Sequence, residues 1–175
     1  MIDDSGVTAG PQGDFLFYSK PGREILERVG EVAVAHSKLD HTLKVTIKSV
    51  TGRESVDVLN EHKRTGSLLL RRAIRDKCAE LFGESETLVR VDDLLNRCRD
   101  LSDLRNRYVH GVWAKFLDGP EALFDGVTVL HQPTIDQLVD LTERIDSISR
   151  EIHEARISGF LAEALRIRRG QIPKP

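Results

Sequence analysis

From Ile25 the apolar positions return at spacings of three and four through Val29, Val32, Leu39, Leu43, Ile47 and Val50, with His36 on the same line. At about 100° per residue these positions gather into one stripe, the signature of a long amphipathic helix. Ser19-Lys20-Pro21 supplies its start and Thr51-Gly52 its end. Val56, Val58 and Leu59 suit a short helical turn, after which residues 61–82 resume helical spacing through Leu69, Ala73, Ile74, Cys78 and Leu81, interrupted by Gly66 and closed by Gly83. Ser85 followed by Glu86 is the start of a third long helix, whose buried face is Leu88, Val91, Leu94, Leu95, Cys98, Leu101, Leu104 and Tyr108. Gly111 stands where a left-handed terminator is wanted.

Past Gly111 the period changes. Residues 112–117 and 123–130 are short, apolar and β-compatible and flank Asp118-Gly119-Pro120, which predicts a β-hairpin over about 112–131. Pro133-Thr134 opens a last helix with Ile135, Leu138, Leu141, Ile145, Ile148, Ile152, Ile157, Phe160 and Leu161 on its core face, and Gly159 marks a kink or a second segment. The fold expected is therefore all-α: an antiparallel four-helix bundle with one β-hairpin inserted between the third and fourth long helices. Residues 1–20 are expected as a flexible arm in which residues 15–18 dock in extended form, 21–165 as the helical domain, and 166–175 as a solvated basic tail.

Composition narrows the function classes. The 175 residues carry 26 basic and 28 acidic side chains, a pI near 6.3, so the chain does not rely on a strong overall positive field to hold nucleic acid, and any such contact is local. Cys78 and Cys98, both within helical patterns, fit buried free thiols in a reducing compartment. No apolar run reaches the roughly 18 residues of a membrane span, and no signal peptide is evident; a soluble cytoplasmic protein is expected. A metal is not expected: His41, His62, His131 and His153 lack ligand spacing, the i,i+4 pair His36–Asp40, which has it, is more ordinarily a satisfied core histidine, and there is no glycine-rich phosphate loop or nucleophile elbow.

One position breaks the hydrophobic pattern with consequence. A helical wheel places Arg105 near the middle of the stripe of Leu94, Cys98, Leu101 and Tyr108. A guanidinium stays charged, so at such a position it needs a carboxylate, a wet cavity or an interface. Asp40 is the favoured acidic partner, with His36 one turn before it, although a satisfied core histidine is the ordinary reading of His36. Arg99, Asp103, Asn106 and His110 share the neighbouring ridge, where the ordinary reading is an exposed face with Arg99–Asp103 and Asp103–Arg107 pairs. Around an ideal helix Arg105 and His110 are about 140° apart, which calls for unwinding near Gly111 or for a second subunit.

Leu101-Ser-Asp-Leu-Arg-Asn-Arg-Tyr-Val-His-Gly-Val-Trp113 resembles the signature of the HEPN superfamily, in which an Arg is followed by a polar residue and, some four to six positions on, a His. The resemblance spans roughly residues 21–165, though only about a dozen carry it sharply. It implies a helical bundle that dimerises through the helix bearing Arg105, with metal-independent endoribonuclease activity in toxin, antiphage or RNA-processing systems and no cofactor. Residue by residue it makes Arg105, Asn106 and His110 the catalytic set. Arg99, Asp103, Arg107, Tyr108 and Trp113 are candidate flanking substrate contacts; the two aromatics suit stacking on a base, although packing of the hairpin onto the bundle is their more ordinary use. The competing expectation is an inactive HEPN-like module that binds RNA or a nucleotide, or a protein partner in a toxin–antitoxin or defence complex. The basic residues Lys63, Arg64, Arg71, Arg72, Arg75 and Lys77 are expected on a solvated face, as are His41, His62, His131 and His153.

Overall fold

A computed structural model describes residues 7–9, 15–116, 119–124 and 129–171. Of the first dozen residues, expected to be mobile, Val7–Ala9 form a strand; the rest of that stretch, the Asp118 turn position and the proline-containing tail from 172 fall outside the described residues. The chain is mainly helical with a small sheet. Two compact units can be distinguished, one of residues 1–34 and 103–142 and one of residues 35–102 and 143–175.

Helix α1 (Arg23–Thr51) carries the stripe that the sequence pattern predicts: Val32, His36, Leu39, Leu43, Ile47 and Val50 are all buried. It ends at Gly52, whose φ of 70° is a left-handed conformation that a side chain would disfavour. The next helix does not begin at residue 61. A short α2 (Ser55–Glu61) comes first, and α3 (Ser67–Phe82) starts only after Gly66, whose extended backbone serves as its N-cap. Helix α4 (Glu86–His110) begins where Ser85 Oγ accepts from the Leu88 amide at 3.3 Å. Helix α5 (Ile135–Ile157) opens on a reciprocal cap, Thr134 accepting from Gln137 N and Gln137 accepting from Thr134 N. Ser158-Gly159 separates it from α6 (Phe160–Gln171), a helix that continues across the expected start of the tail at 166. Ile157 is 57% exposed rather than part of the core, because it is the last residue before that break.

In the second unit α1, α3, α4 and α5 pack together, and their contacts give their directions. Lys38–Asp146 and Thr42–Ser149 advance together along α1 and α5, so these two run parallel. Arg71–Ser102 and Arg75–Asp92 advance oppositely, as do Arg97–Glu151 and the stacking of Arg90 on Phe160, so α4 opposes both α3 and α5 with α6. The expected alternation of four antiparallel helices is thus corrected: α1 and α5 run side by side in the same direction. Ser67, at the start of α3, shares Ser102 with His36, fifteen residues before the end of α1. The segment containing α2 therefore retraces that part of α1 before α3 begins.

In the first unit five strands form an antiparallel meander in sequence order: β1 (Val7–Ala9), β2 (Phe15–Tyr18), β3 (Val112–Phe116), β4 (Glu121–Phe124) and β5 (Val129–His131). The single expected hairpin is thereby corrected twice. Residues 123–130 do not make one strand, since β4 and β5 pair with each other, Leu123 opposite Leu130. The sequence between them contains Asp125-Gly126, a pair suited to chain reversal that the reading above passed over. On the other side β2 pairs with β3, Leu16 opposite Phe116 and Tyr18 opposite Ala114, and Ser19 N extends the ladder to Trp113 O.

Gly111 joins α4 to β3 and is not left-handed, contrary to expectation; the backbone conformations with positive φ belong to Gly52 and Gly83 among the described residues. Its requirement is steric, because a Cβ there would lie 2.4 Å from Arg107 O and 2.7 Å from Leu123 Cδ1. Gly111→Ala is expected to destabilise the fold by about 2 kcal/mol, whereas Gly30→Ala, exposed in the interior of α1 with nothing near its would-be Cβ, should stabilise it by about 1 kcal/mol. Urea unfolding monitored by circular dichroism checks the opposite signs.

Cys78 and Cys98 are buried free thiols, and burial pushes both up to about 12 from 9.0. The unfolded chain then loses these protons before the folded one does. Stability owed to them is intact below about pH 9 and falls as pH rises from 9 toward 12. Denaturation midpoints at pH 8 and pH 10.5 should show the fall, and Cys78→Ala with Cys98→Ala should flatten it.

Candidate functional site

Arg105 continues the buried stripe of α4 that runs through Val91, Leu95, Cys98, Leu101 and Ser102, and there the side chain is half-buried. The arginine finds its partners on its own helix. Nη1 lies 2.9 Å from Asn106 Oδ1 and 2.9 Å from His110 Nε2. Helical order persists through His110, and Gly111 N still bonds Arg107 O at 2.9 Å. The separation of about 140° is therefore closed without unwinding and without a second chain: the long arginine side chain spans the last turn. Asn106 and His110 are exposed, while Arg105 Nε is buried and without an acceptor.

The chemistry of the donor fixes the protonation of its neighbours. A guanidinium only donates, so Nε2 of His110 must present its lone pair and the ring carries its proton on Nδ1. Asn106 likewise turns its carbonyl oxygen toward the arginine. In this arrangement the basic nitrogen of His110 and a forked cation able to hold two phosphate oxygens are adjacent.

Tyr108 and Trp113 are half-buried, Trp113 lying in β3 opposite Leu123. Asp103 and Arg107 are exposed. Arg99 does not pair along the ridge with Asp103; it binds Asp100, with Nη2 3.0 Å from Oδ1. Asp40 lies against His36, Oδ2 3.6 Å from Nδ1, and Arg105 donates its hydrogen bonds to Asn106 and His110 instead.

The sequence reading missed a second polar group, in the helical core of the other unit. Ser102, only 3% exposed, donates to Cys98 O at 2.7 Å and receives His36 Nε2 at 3.0 Å and Arg71 Nη1 at 3.2 Å. Ser67 Oγ lies 3.2 Å from the same oxygen and 2.7 Å from Arg71 Nη1. Arg71, expected on a solvated face, is 8% exposed, and Arg75 is tied to Asp92 at 3.1 Å. The wheel that singled out Arg105 would have found Arg71, which lies three and seven positions before Ile74 and Cys78 on the apolar stripe of α3. His62 is half-buried rather than superficial, its Nδ1 3.3 Å from Thr65 Oγ1, while His41, His131 and His153 are exposed as expected. No cluster of metal-ligating side chains occurs among the described residues, and no helix there is long and apolar enough to cross a membrane.

No family model matches the chain, and no curated protein or solved structure matches it.

Ser102→Ala would strip His36 Nε2 and Arg71 Nη1 of an acceptor in the core. It should cost about 2 kcal/mol in chemical unfolding, more than Ser67→Ala, which leaves both contacts to Ser102 in place.

Proposed function

We propose that this chain is a metal-independent endoribonuclease of the HEPN type, acting as a homodimer in a toxin or antiphage system. The observation that carries the reading is the 2.9 Å hydrogen bond from Arg105 Nη1 to His110 Nε2, with Asn106 on the same guanidinium nitrogen. Support for the family rests on this motif and on its position at the end of a long helix followed by Gly111 and the sheet, not on an alternating bundle topology.

In the proposed reaction, a scissile phosphate takes the Arg105 fork and releases His110 Nε2 from it. That nitrogen accepts the proton of the 2′-OH as the 2′-oxygen attacks phosphorus. The bond to the 5′-oxygen breaks, and the leaving oxygen receives a proton from the imidazolium of His110 in a second copy of the chain, since one chain supplies a single motif histidine. Products carry 2′,3′-cyclic phosphate and 5′-OH ends. Asn106 keeps Arg105 in register with the phosphate, and Tyr108 and Trp113 flank the path of the bases.

The test is cleavage of transfer, ribosomal and unstructured RNAs in EDTA, with end-group analysis. His110→Ala should lose at least about a hundredfold in rate while circular dichroism and the unfolding midpoint stay unchanged, and Arg105→Ala should be comparably impaired. A folded, dimeric wild-type protein that cuts none of these RNAs overturns the enzyme reading. Tight RNA binding without turnover, untouched by His110→Ala, would instead favour a binding module, the alternative that the small net charge of −2 leaves open.

A further inference from the structure

Several of the described cations face carboxylates: Arg23 faces Glu27, Arg28 Glu31, Arg53 Glu61, Arg75 Asp92, Lys77 Glu80 and Arg97 Glu151. Others have no ion pair, and three of these line one cavity. A cavity of about 550 Å³ opens where α1 ends, between Gly52 and the junction of α5 with α6, and Lys48, Arg53, Arg156 and Arg166 line it against one carboxylate, Glu54. Arg53 is engaged by Glu61 at 2.6 Å, but Lys48, Arg156 and Arg166 have no ion-pair partner among the described residues.

The final carbonyls of α1 account for Lys48, which is in its last turn. They do not account for Arg156. That residue sits one position before the end of α5, gives Nη2 to His153 Nδ1 at 2.9 Å, and has Nε buried without any acceptor. Burial also lowers its affinity for the proton, the mark of a charge held partly out of water without compensation. Ala162, Leu165 and the exposed Ile157 add apolar lining. The space far exceeds the roughly 30 Å³ that a water molecule occupies in the liquid and falls within the usual range for small-molecule sites.

We propose that this cavity binds a small organic phosphate monoester, its phosphate held by Arg156, Lys48 and Arg166 and its compact ring lying on Ile157, Ala162 and Leu165. A dianionic phosphate matches three cations that have no carboxylate partner among the described residues, and its oxygens match a guanidinium fork better than any neutral group does. The apolar lining adds a preference for the ester over the free ion. The site is separate from the Arg105–His110 motif and does not depend on the ribonuclease reading.

Isothermal titration of the full-length chain at low ionic strength, with phenyl phosphate, adenosine monophosphate, inorganic phosphate, phenol and adenosine as probes, tests this. Both esters should saturate one site and bind more tightly than inorganic phosphate, with phenol and adenosine giving no heat. Arg156→Met, which preserves the stem, should weaken the esters about tenfold or more, and His110→Ala should leave them unchanged. If Arg156→Met does not fold, Arg166→Gln, at an exposed position, carries the same expectation. The proposal is overturned by absence of saturable ester binding, by inorganic phosphate binding as tightly as the esters, by affinity that survives these substitutions, or by loss of binding in His110→Ala.

Discussion

The constraint on which the helical core depends is a single hydroxyl. Ser102 Oγ has one proton, which goes to Cys98 O one turn back, and its oxygen gathers His36 from α1 and Ser67 and Arg71 from α3. Three helices are thus pinned at one point by groups that burial would penalise heavily if they were apart. An apolar contact tolerates rotation of a helix by some tens of degrees; a hydrogen bond of about 3 Å to a buried hydroxyl does not. Ser102 therefore sets the rotation of α4 about its axis within this unit.

The motif takes its character from the place of Arg105 on α4. Held on the stripe, Arg105 cannot spread its charge freely into solvent, and the acceptors within its reach are those of its own last turn, Asn106 and His110. A cation that only donates meets the imidazole through its unprotonated nitrogen. The cluster thus joins a donor to two acceptors on one helical turn. Gly111 contributes by size: between Arg107 O and Leu123 there is no room for a Cβ, so the chain passes from helix to strand within one residue and the histidine stays on the final turn.

The same reasoning about partners separates structural cations from available ones. With nearly equal numbers of acidic and basic residues the chain has no broad positive field, and its exposed ion pairs contribute little individually. What distinguishes a few arginines is local bookkeeping of acceptors. Arg71 is buried and satisfied by hydroxyls, Arg105 by an amide and an imidazole, and Arg156 only in part, beside a cavity.

The one-dimensional pattern determined the helices and most of their buried faces, because a 3.6-residue period reports directly which positions face a core: Val32 through Val50 on α1, and Leu138, Leu141, Ile145, Ile148 and Ile152 on α5. It also determined that Arg105 stood on an apolar stripe and that His110 ended the helix. It could not determine direction or partnership. Whether α1 runs with or against α5 depends on how far the chain retraces through α2 before α3, and periodicity is the same for either direction. The pairing of β2 with β3 joins residues 16 and 116, a contact that no local window contains. Arg71 looked like one more basic surface residue until Ser102 was brought to it from α4, beside Ser67 one turn before it on its own helix. The reach of Arg105 to His110 likewise depended on a rotamer, which wheel geometry omits because it counts only backbone angles. Local spacing thus fixed which groups face inward; only the tertiary structure decided which of them meet.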